Sequence, residues 1–443
     1  MTFAPDRRTL LRAGVAIGTA AAAAPLGAAP PQDGAILPLL EHSAKAQISA
    51  LEAQAGDRPA GFRLYSANWI FATFLVGVAR LARVSSDPAF ARYLWFIGDV
   101  FNHGMRGDGS PINLINADDQ AIGDTYLELY AHRRNPGLIL PLKQRLDFTA
   151  PYLTMTPEPR RLVWWWCDAL YMAPPVFARM SNLTGDPRYL QAADTQWWRT
   201  HARLWDEEDQ LFYRDARFIT RRADSGAKIV WARGNGWVLG ALARMFEAMP
   251  ADFASRPRYL NLYRRMARSI VKLQQPDGLW RASLLDPKSF PETETSGAAL
   301  FTYALAFGIN HGLLDRRTFE PHVRRGWAGL VAKLRPDGIL GYVQRAGDRP
   351  VPTRSEDTAP YASGAFLLAG LEVMRLGGPP APLPVAEPRP DPSFGAPQPA
   401  PPPTPQTPEE AAENVRRDDE HKGVRDLAYD PVTDDPHWRP LLP

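Results

Sequence analysis

Cysteine is almost absent from this chain. Cys167 is the only one in 443 residues, which excludes an intrachain disulfide and a cysteine-based metal site. Neither charge is in excess: Lys plus Arg number 51 against 48 for Asp plus Glu, a net +3 that leaves no footprint for nucleic acid or an anionic membrane. Histidine is scarce, with eight residues and no cluster at metal-ligand spacing, and there is no glycine-rich phosphate loop. Strand-like alternation is rare, and the apolar stretch Ala13 to Leu26 is too short to read as a membrane span. These absences argue against nucleotide, metal and nucleic-acid chemistry. No cofactor and no metal are expected.

Aromatic residues are plentiful, with thirteen tryptophans. Two segments concentrate them around an ionisable side chain. The first is Trp164-Trp165-Trp166-Cys167-Asp168-Ala169-Leu170-Tyr171-Met172, and the second is Trp231-Ala232-Arg233-Gly234-Asn235-Gly236-Trp237. Flat rings stack on sugar faces, and a guanidinium holds a carboxylate in a planar fork, so the pairing points to a carbohydrate site. On a helix, Trp164, Trp165, Tyr171 and Met172 share a face with Asp168 at i±3 and i±4. That apolar setting disfavours the charged carboxylate and keeps a proton available.

Both ends of the chain read as segments outside the fold. Asp6-Arg7-Arg8-Thr9-Leu10-Leu11-Arg12 precedes a short apolar run and small residues, the pattern of a secretory signal over residues 1–30. The arginine pair points to the twin-arginine route and to a periplasmic or secreted protein with no membrane span once mature. Residues 378–443 hold 18 of the chain's 44 prolines and read as an extended tail that builds no packed core.

Between the ends, over residues 36–376, apolar residues recur at helical spacing, as in Trp69, Phe71, Phe74, Leu75, Val78 and Leu81. Breaker-rich connections such as Ser85-Ser86-Asp87-Pro88, Arg134-Asn135-Pro136-Gly137, Thr184-Gly185-Asp186-Pro187 and Ser255-Arg256-Pro257 recur at roughly 50 to 70 residues. A second series, richer in aromatic and acidic residues, includes the near copies Gln275-Pro276-Asp277-Gly278-Leu279 and Arg335-Pro336-Asp337-Gly338-Ile339. The length accommodates about six helical hairpins. The fold class is therefore all-α, an (α/α)6 barrel with its pocket on the face of the second loop series; an open superhelix of hairpins is the alternative.

Taken together, the motifs resemble the unsaturated glycuronyl hydrolases, glycoside hydrolase families 105 and 88, and are nearer to the unsaturated rhamnogalacturonyl branch of family 105. The matching pieces are Asn116-Ala117-Asp118-Asp119-Gln120-Ala121-Ile122-Gly123, the two aromatic segments above, Glu294-Thr295-Ser296-Gly297 and Gly364-Ala365-Phe366-Leu367-Leu368-Ala369-Gly370. The resemblance implies a cofactor-free (α/α)6 barrel acting on oligosaccharides whose non-reducing uronic acid carries a C4=C5 double bond. Protonation at C4 and addition of water at C5 give a hemiketal that opens and releases the leaving sugar. Asp168 matches the general acid/base and Asp119 the second aspartate, with Asp118 beside it as competitor and a plain helix cap as the alternative role. Arg233 matches a substrate contact, with Trp231, Asn235 and Trp237 around it, and Tyr213, Trp280 and Tyr342 are candidate pocket walls.

Two departures stand out. Arg214 follows Phe212-Tyr213 where well-studied relatives carry a histidine, and Ala121 replaces an asparagine common two residues after the first aspartate. Arg214 therefore joins the candidate substrate contacts. A catalytically inactive sugar-binding barrel and a uronate polysaccharide lyase are the competing functions. A lyase needs a Tyr or His base, and no histidine falls in the matched motifs.

Overall fold

The computed structural model describes residues 33–56, 67–106, 114–154, 162–381 and 383. The expected signal segment over residues 1–30 and the tail from residue 384 onward lie outside them.

Short turns set the hairpins. Helix α1 (Asp33–Gly56) leads to α2 (Trp69–Ala82), whose first turn is capped by Asn68 accepting from the Phe71 amide at 3.1 Å. Asp87 and Pro88 open α3 (Pro88–Val100), and Asp186 and Pro187 open α9 (Pro187–Leu204) in the same way. These are the polar cap and early proline that the sequence shows at those points. Between them lie α4 (Ala117–Gln120), α5 (Gly123–Arg133), α6 (Leu140–Thr154), α7 (Ala169–Met172) and α8 (Pro174–Thr184). Then come α10 (Arg217–Thr220), α11 (Ala232–Ala248), α12 (Arg256–Lys272), α13 (Thr295–Asn310), α14 (Arg316–Val331) and α15 (Pro360–Met374).

Burial sorts the long helices into two layers. In α13 every residue from Thr295 to Asn310 is buried, and in α15 every residue from Tyr361 to Val373 is. A helix apolar all round belongs inside. In α12, by contrast, Tyr259, Leu262, Tyr263, Met266, Ala267 and Ile270 form one stripe at helical spacing, with arginines on the other side. Each full burial of such a side chain is worth roughly 1.5–3 kcal/mol. The inner layer is α2, α5, α8, α11, α13 and α15. Each touches the next, and α15 closes back on α2. The protein is an (α/α)6 barrel, and that closing contact separates it from an open superhelix. Gly77 and Gly364 make the seam: a Cβ on Gly364 would lie 2.5 Å from the Thr73 carbonyl oxygen, and one on Gly77 2.5 Å from that of Gly364.

Each inner helix follows a longer connection, and each except the last, α15, leads into a short one. The long loops therefore gather at the N-terminal ends of the inner helices, where two short antiparallel pairs occur: β1 (Trp205–Asp206) with β2 (Leu211–Phe212), and β3 (Trp280–Arg281) with β4 (Thr293–Glu294). The near-copy loops are true structural repeats. Gly278 and Gly338 adopt φ of 83° and 85°, and each Asp two residues upstream of the closing amide accepts from it, Asp277 from Leu279 at 3.2 Å and Asp337 from Ile339 at 3.0 Å. Their acidic residues shape the turns.

Candidate active site

The segment carrying Asp168 is not helical, which corrects the expectation of a shared helix face. Trp166 forms a bridge with Asp215, and the Cys167 amide donates to the Arg214 carbonyl at 2.8 Å. The strand-like pairing satisfies backbone groups that a helix would otherwise pair, and it delivers Asp168 and Arg214 side by side. The three tryptophans then diverge. Trp164 is buried against Phe177, Trp166 is buried, and Trp165 stays half-buried with the Arg214 guanidinium 5.3 Å above its ring. Asp168 occupies the N-cap position of α7 but makes no side-chain capping bond.

Asp168 is 7% exposed, and burial raises its pKa from the ordinary value, against the opposing charges of Arg214 and Arg233. Arg214 Nε lies 3.5 Å from its Oδ2, and the Cys167 thiol donates to the same oxygen at 3.5 Å. Burial pushes that thiol well up, so it remains a donor. Across the site, Asp118 is pushed up to about 7, first by burial and then by the charges of Asp119 and Asp168. Asp119 is 7% exposed, with Arg106 Nε 3.7 Å from Oδ1. The capping role falls to Asn116, which accepts from the Asp118 amide at 3.0 Å. Neither aspartate is the cap of α4.

The other expected contacts are brought to the same end of the barrel but turned inward. Arg233 is fully buried at the start of α11. Its Nη1 donates to the Gln344 carbonyl and to the Tyr361 hydroxyl, and its Nη2 to the Arg345 carbonyl at 2.8 Å. Trp231 and Tyr361 cover its faces at 4.5 and 4.9 Å. Two carbonyls, a hydroxyl and two ring faces surround it, while its buried Nε has no hydrogen-bond partner among the described residues. Trp231 Nε1 donates to Gln344 Oε1 at 3.0 Å, Asn235 exchanges bonds with both backbone groups of Phe212, and Tyr213 donates to Asp206 Oδ2 at 2.7 Å. Trp237 packs against Tyr171 and Trp69, and Trp280 donates to the Ile270 carbonyl at 2.8 Å from a buried position.

Arg214 and Trp165 are the accessible counterparts. Trp69, half-buried at the start of α2 and stacked on Tyr361 at 5.2 Å, belongs with them and was not singled out for the site from the sequence. Its signal was positional: a tryptophan directly after a cap, at the pocket end of an inner helix. Glu294 belongs to a matching motif, but the sequence assigned it no role. It caps α13 through the Ser296 and Gly297 amides and accepts from Gln344 N at 3.3 Å, supporting the loop that takes Arg233.

Among the described residues, Asp206, Glu208 and Asp209 have metal-like spacing. The Lys228 ammonium sits among them at 2.7 to 3.1 Å, and its charge already satisfies the cluster.

A closed ring of helical hairpins with carboxyls of raised pKa beside an arginine at its mouth defines an α/α-barrel enzyme of acid–base type. Residues 45–377 match the model described as Glycosyl Hydrolase Family 88, and the chain belongs to that family. It is 35% identical over 331 residues to an unsaturated 3S-rhamnoglycuronyl hydrolase of Formosa agariphila, covering 71% of this chain and 86% of that one. A solved structure described as glycosyl hydrolase family 88 from Bacteroides vulgatus superposes with a TM-score of 0.70 at 27% identity, covering 78% of this chain and 100% of that one. Another, described as a polysaccharide lyase, gives 0.68 at 28% identity, covering 77% and 97%.

Proposed function

We propose that the protein hydrolyses oligosaccharides ending in a 4,5-unsaturated uronic acid. The carrying observation is the facing set of Asp168, Asp118 and Asp119, two of which the site holds toward the protonated form beside Arg214. The enol ether takes a proton from Asp168 at C4, leaving an oxocarbenium centre at C5. Water adds at C5 and returns its proton to the Asp168 carboxylate. The resulting hemiketal opens and expels the leaving sugar, and Asp168 is again protonated. One carboxyl thus serves both proton steps.

Asp119 orients the water, and Asp118 shares the remaining proton so that adjacent carboxylates need not both ionise. The uronate carboxylate docks on Arg214, whose half-buried guanidinium lies beside Asp168, with Trp165 and Trp69 as ring faces. Arg233 carries the Gln344–Arg345 loop beneath the pocket and sets the field on Asp168. We also propose that the enzyme is exported from the cytoplasm, a reading supported by Arg7-Arg8 ahead of the apolar run.

A panel of lyase-generated disaccharides, followed by loss of the ultraviolet absorbance of the conjugated double bond, tests the activity. Loss of absorbance with release of the leaving sugar supports it. A gain of absorbance on intact polysaccharide identifies a lyase, and binding without turnover identifies a sugar-binding barrel.

A further inference from the structure

Deep in the barrel, below the pocket, lies a group of charges that the proposed chemistry does not touch. Arg80 of α2, Asp124 and Glu128 of α5, Arg179 of α8 and Arg244 and Glu247 of α11 form a buried ionic cluster. One member reaches both carboxylate-bearing turns. Arg244 Nη1 donates to the Tyr171 carbonyl at 2.9 Å, and its Nη2 donates to Asp124 Oδ1 at 3.1 Å, with the guanidinium 4.5 Å above the Tyr171 ring.

The first of those acceptors is one turn from an aspartate of the site, and the second is two turns from another. The Tyr171 amide donates to the Asp168 carbonyl at 2.9 Å. On the other side the Asp124 amide donates to the Ala121 carbonyl at 3.3 Å, and the Ala121 amide to the Asp118 carbonyl at 3.4 Å. Arg179 clamps Asp124 itself, through Oδ1 at 2.6 Å and its carbonyl at 3.0 Å. A continuous run of hydrogen bonds therefore joins the backbone of Asp118 to that of Asp168, with Arg244 as the link between the two segments.

We infer that Arg244 is a positioning residue that fixes the separation of Asp168 from the Asp118–Asp119 turn. The inference rests on the proposed hydrolysis. A buried ion pair by itself is weak support for stability, since apolar residues of similar volume often replace one at no loss. What apolar residues cannot reproduce is the span: a planar guanidinium donates to a carbonyl on one segment and a carboxylate on another, while a lysine offers a single point charge. An error of about 1 Å in the placement of reacting groups can cost on the order of 10²-fold in rate. Glu247 supplies the control, because it pairs with Arg80 at 2.9 Å in the same cluster and, as the bonds above show, the bridge does not run through it.

The test compares Arg244→Lys and Glu247→Gln with the wild-type enzyme on an unsaturated disaccharide. For Arg244→Lys, kcat falls at least about tenfold with KM within about threefold. The alkaline limb of its kcat–pH profile moves down by at least about half a unit, because separating the carboxyls weakens their mutual repulsion. Glu247→Gln loses melting temperature but keeps the wild-type kcat and limb. A wild-type kcat and limb in Arg244→Lys overturns the inference, as does the same kcat loss and limb shift in Glu247→Gln. If Arg244→Lys does not fold, Arg244→Gln, which keeps a donor for one acceptor but cannot span both, is read by the same kcat and limb criteria. Absence of turnover in the wild type overturns the hydrolase reading instead.

Discussion

At the scale of single residues, burial and charge decide what each carboxyl can do. Changing Asp168 to Asn removes the proton donor, and general acid–base help is worth roughly 10²–10⁴-fold, so kcat should fall by at least about 100-fold while the fold is retained. Retention of more than about a tenth of the rate would show that another group delivers the proton.

Asp118 makes a separate prediction through pH. Its folded pKa, pushed up to about 7, lies above the unfolded aspartate value of about 3.9. The folded state therefore binds more protons than the unfolded state between those values, and stability declines as pH rises through that window. Asp118→Asn removes the penalty. Its melting temperature should match wild type near pH 4 and exceed it by a few degrees at pH 8, with kcat reduced less than in Asp119→Asn. An equal difference at both pH values would place the effect elsewhere.

Arg233 makes the third prediction at this scale. Four of its partners are one loop's carbonyls, a hydroxyl and a ring face, so Arg233→Lys should lower the melting temperature by several degrees as well as activity. An unchanged melting temperature with a raised KM alone would return it to the role of uronate contact.

At the scale of elements, the closing seam is the most exposed to error. Gly364 brings α15 against α2 so closely that a Cβ would sit 2.5 Å from the Thr73 carbonyl oxygen and 2.7 Å from Phe74 Cα. Both obstacles are backbone and cannot rotate away. Gly364→Ala should cost on the order of 1–3 kcal/mol, the usual range for overpacking, read as a lower midpoint in chemical denaturation. A wild-type midpoint would mean that the two helices can separate at no cost.

The same scale shows what the sequence made legible. The short turns were readable because an Asn or Asp cap with an early Pro acts locally, on the next few amides. The bridge at Trp166 was not readable, because its partner, Asp215, lies about 50 residues on. A local window around it contains only aromatic residues at spacings that also suit a helix.

At the scale of the whole molecule, the chain matches its family over residues 45–377, and the segment before that match carries the proposal about location. If Arg7 and Arg8 form a twin-arginine signal, replacing both with Lys should leave the precursor in the cytoplasm. Fractionation of cells producing the double variant checks this, and normal recovery outside the cytoplasm would show that the pair is not read. No helix among the described residues is long and apolar enough to cross a membrane.

Sequence alone determined the helical period, the hairpin repeat, the end of the barrel where function gathers, and the residue types available there. Those features depend on contacts between residues near in the chain, or on motifs whose chemistry is intrinsic to the side chains. Tertiary structure decided which side chains face the pocket. Arg233 and Arg214 are both arginines among aromatics, and nothing local distinguishes them. One is enclosed because loop carbonyls more than a hundred residues later close over it, and the other reaches Asp168 because a backbone bridge aims it there. Burial and orientation are sums over distant neighbours, so they exist only once the ring has closed.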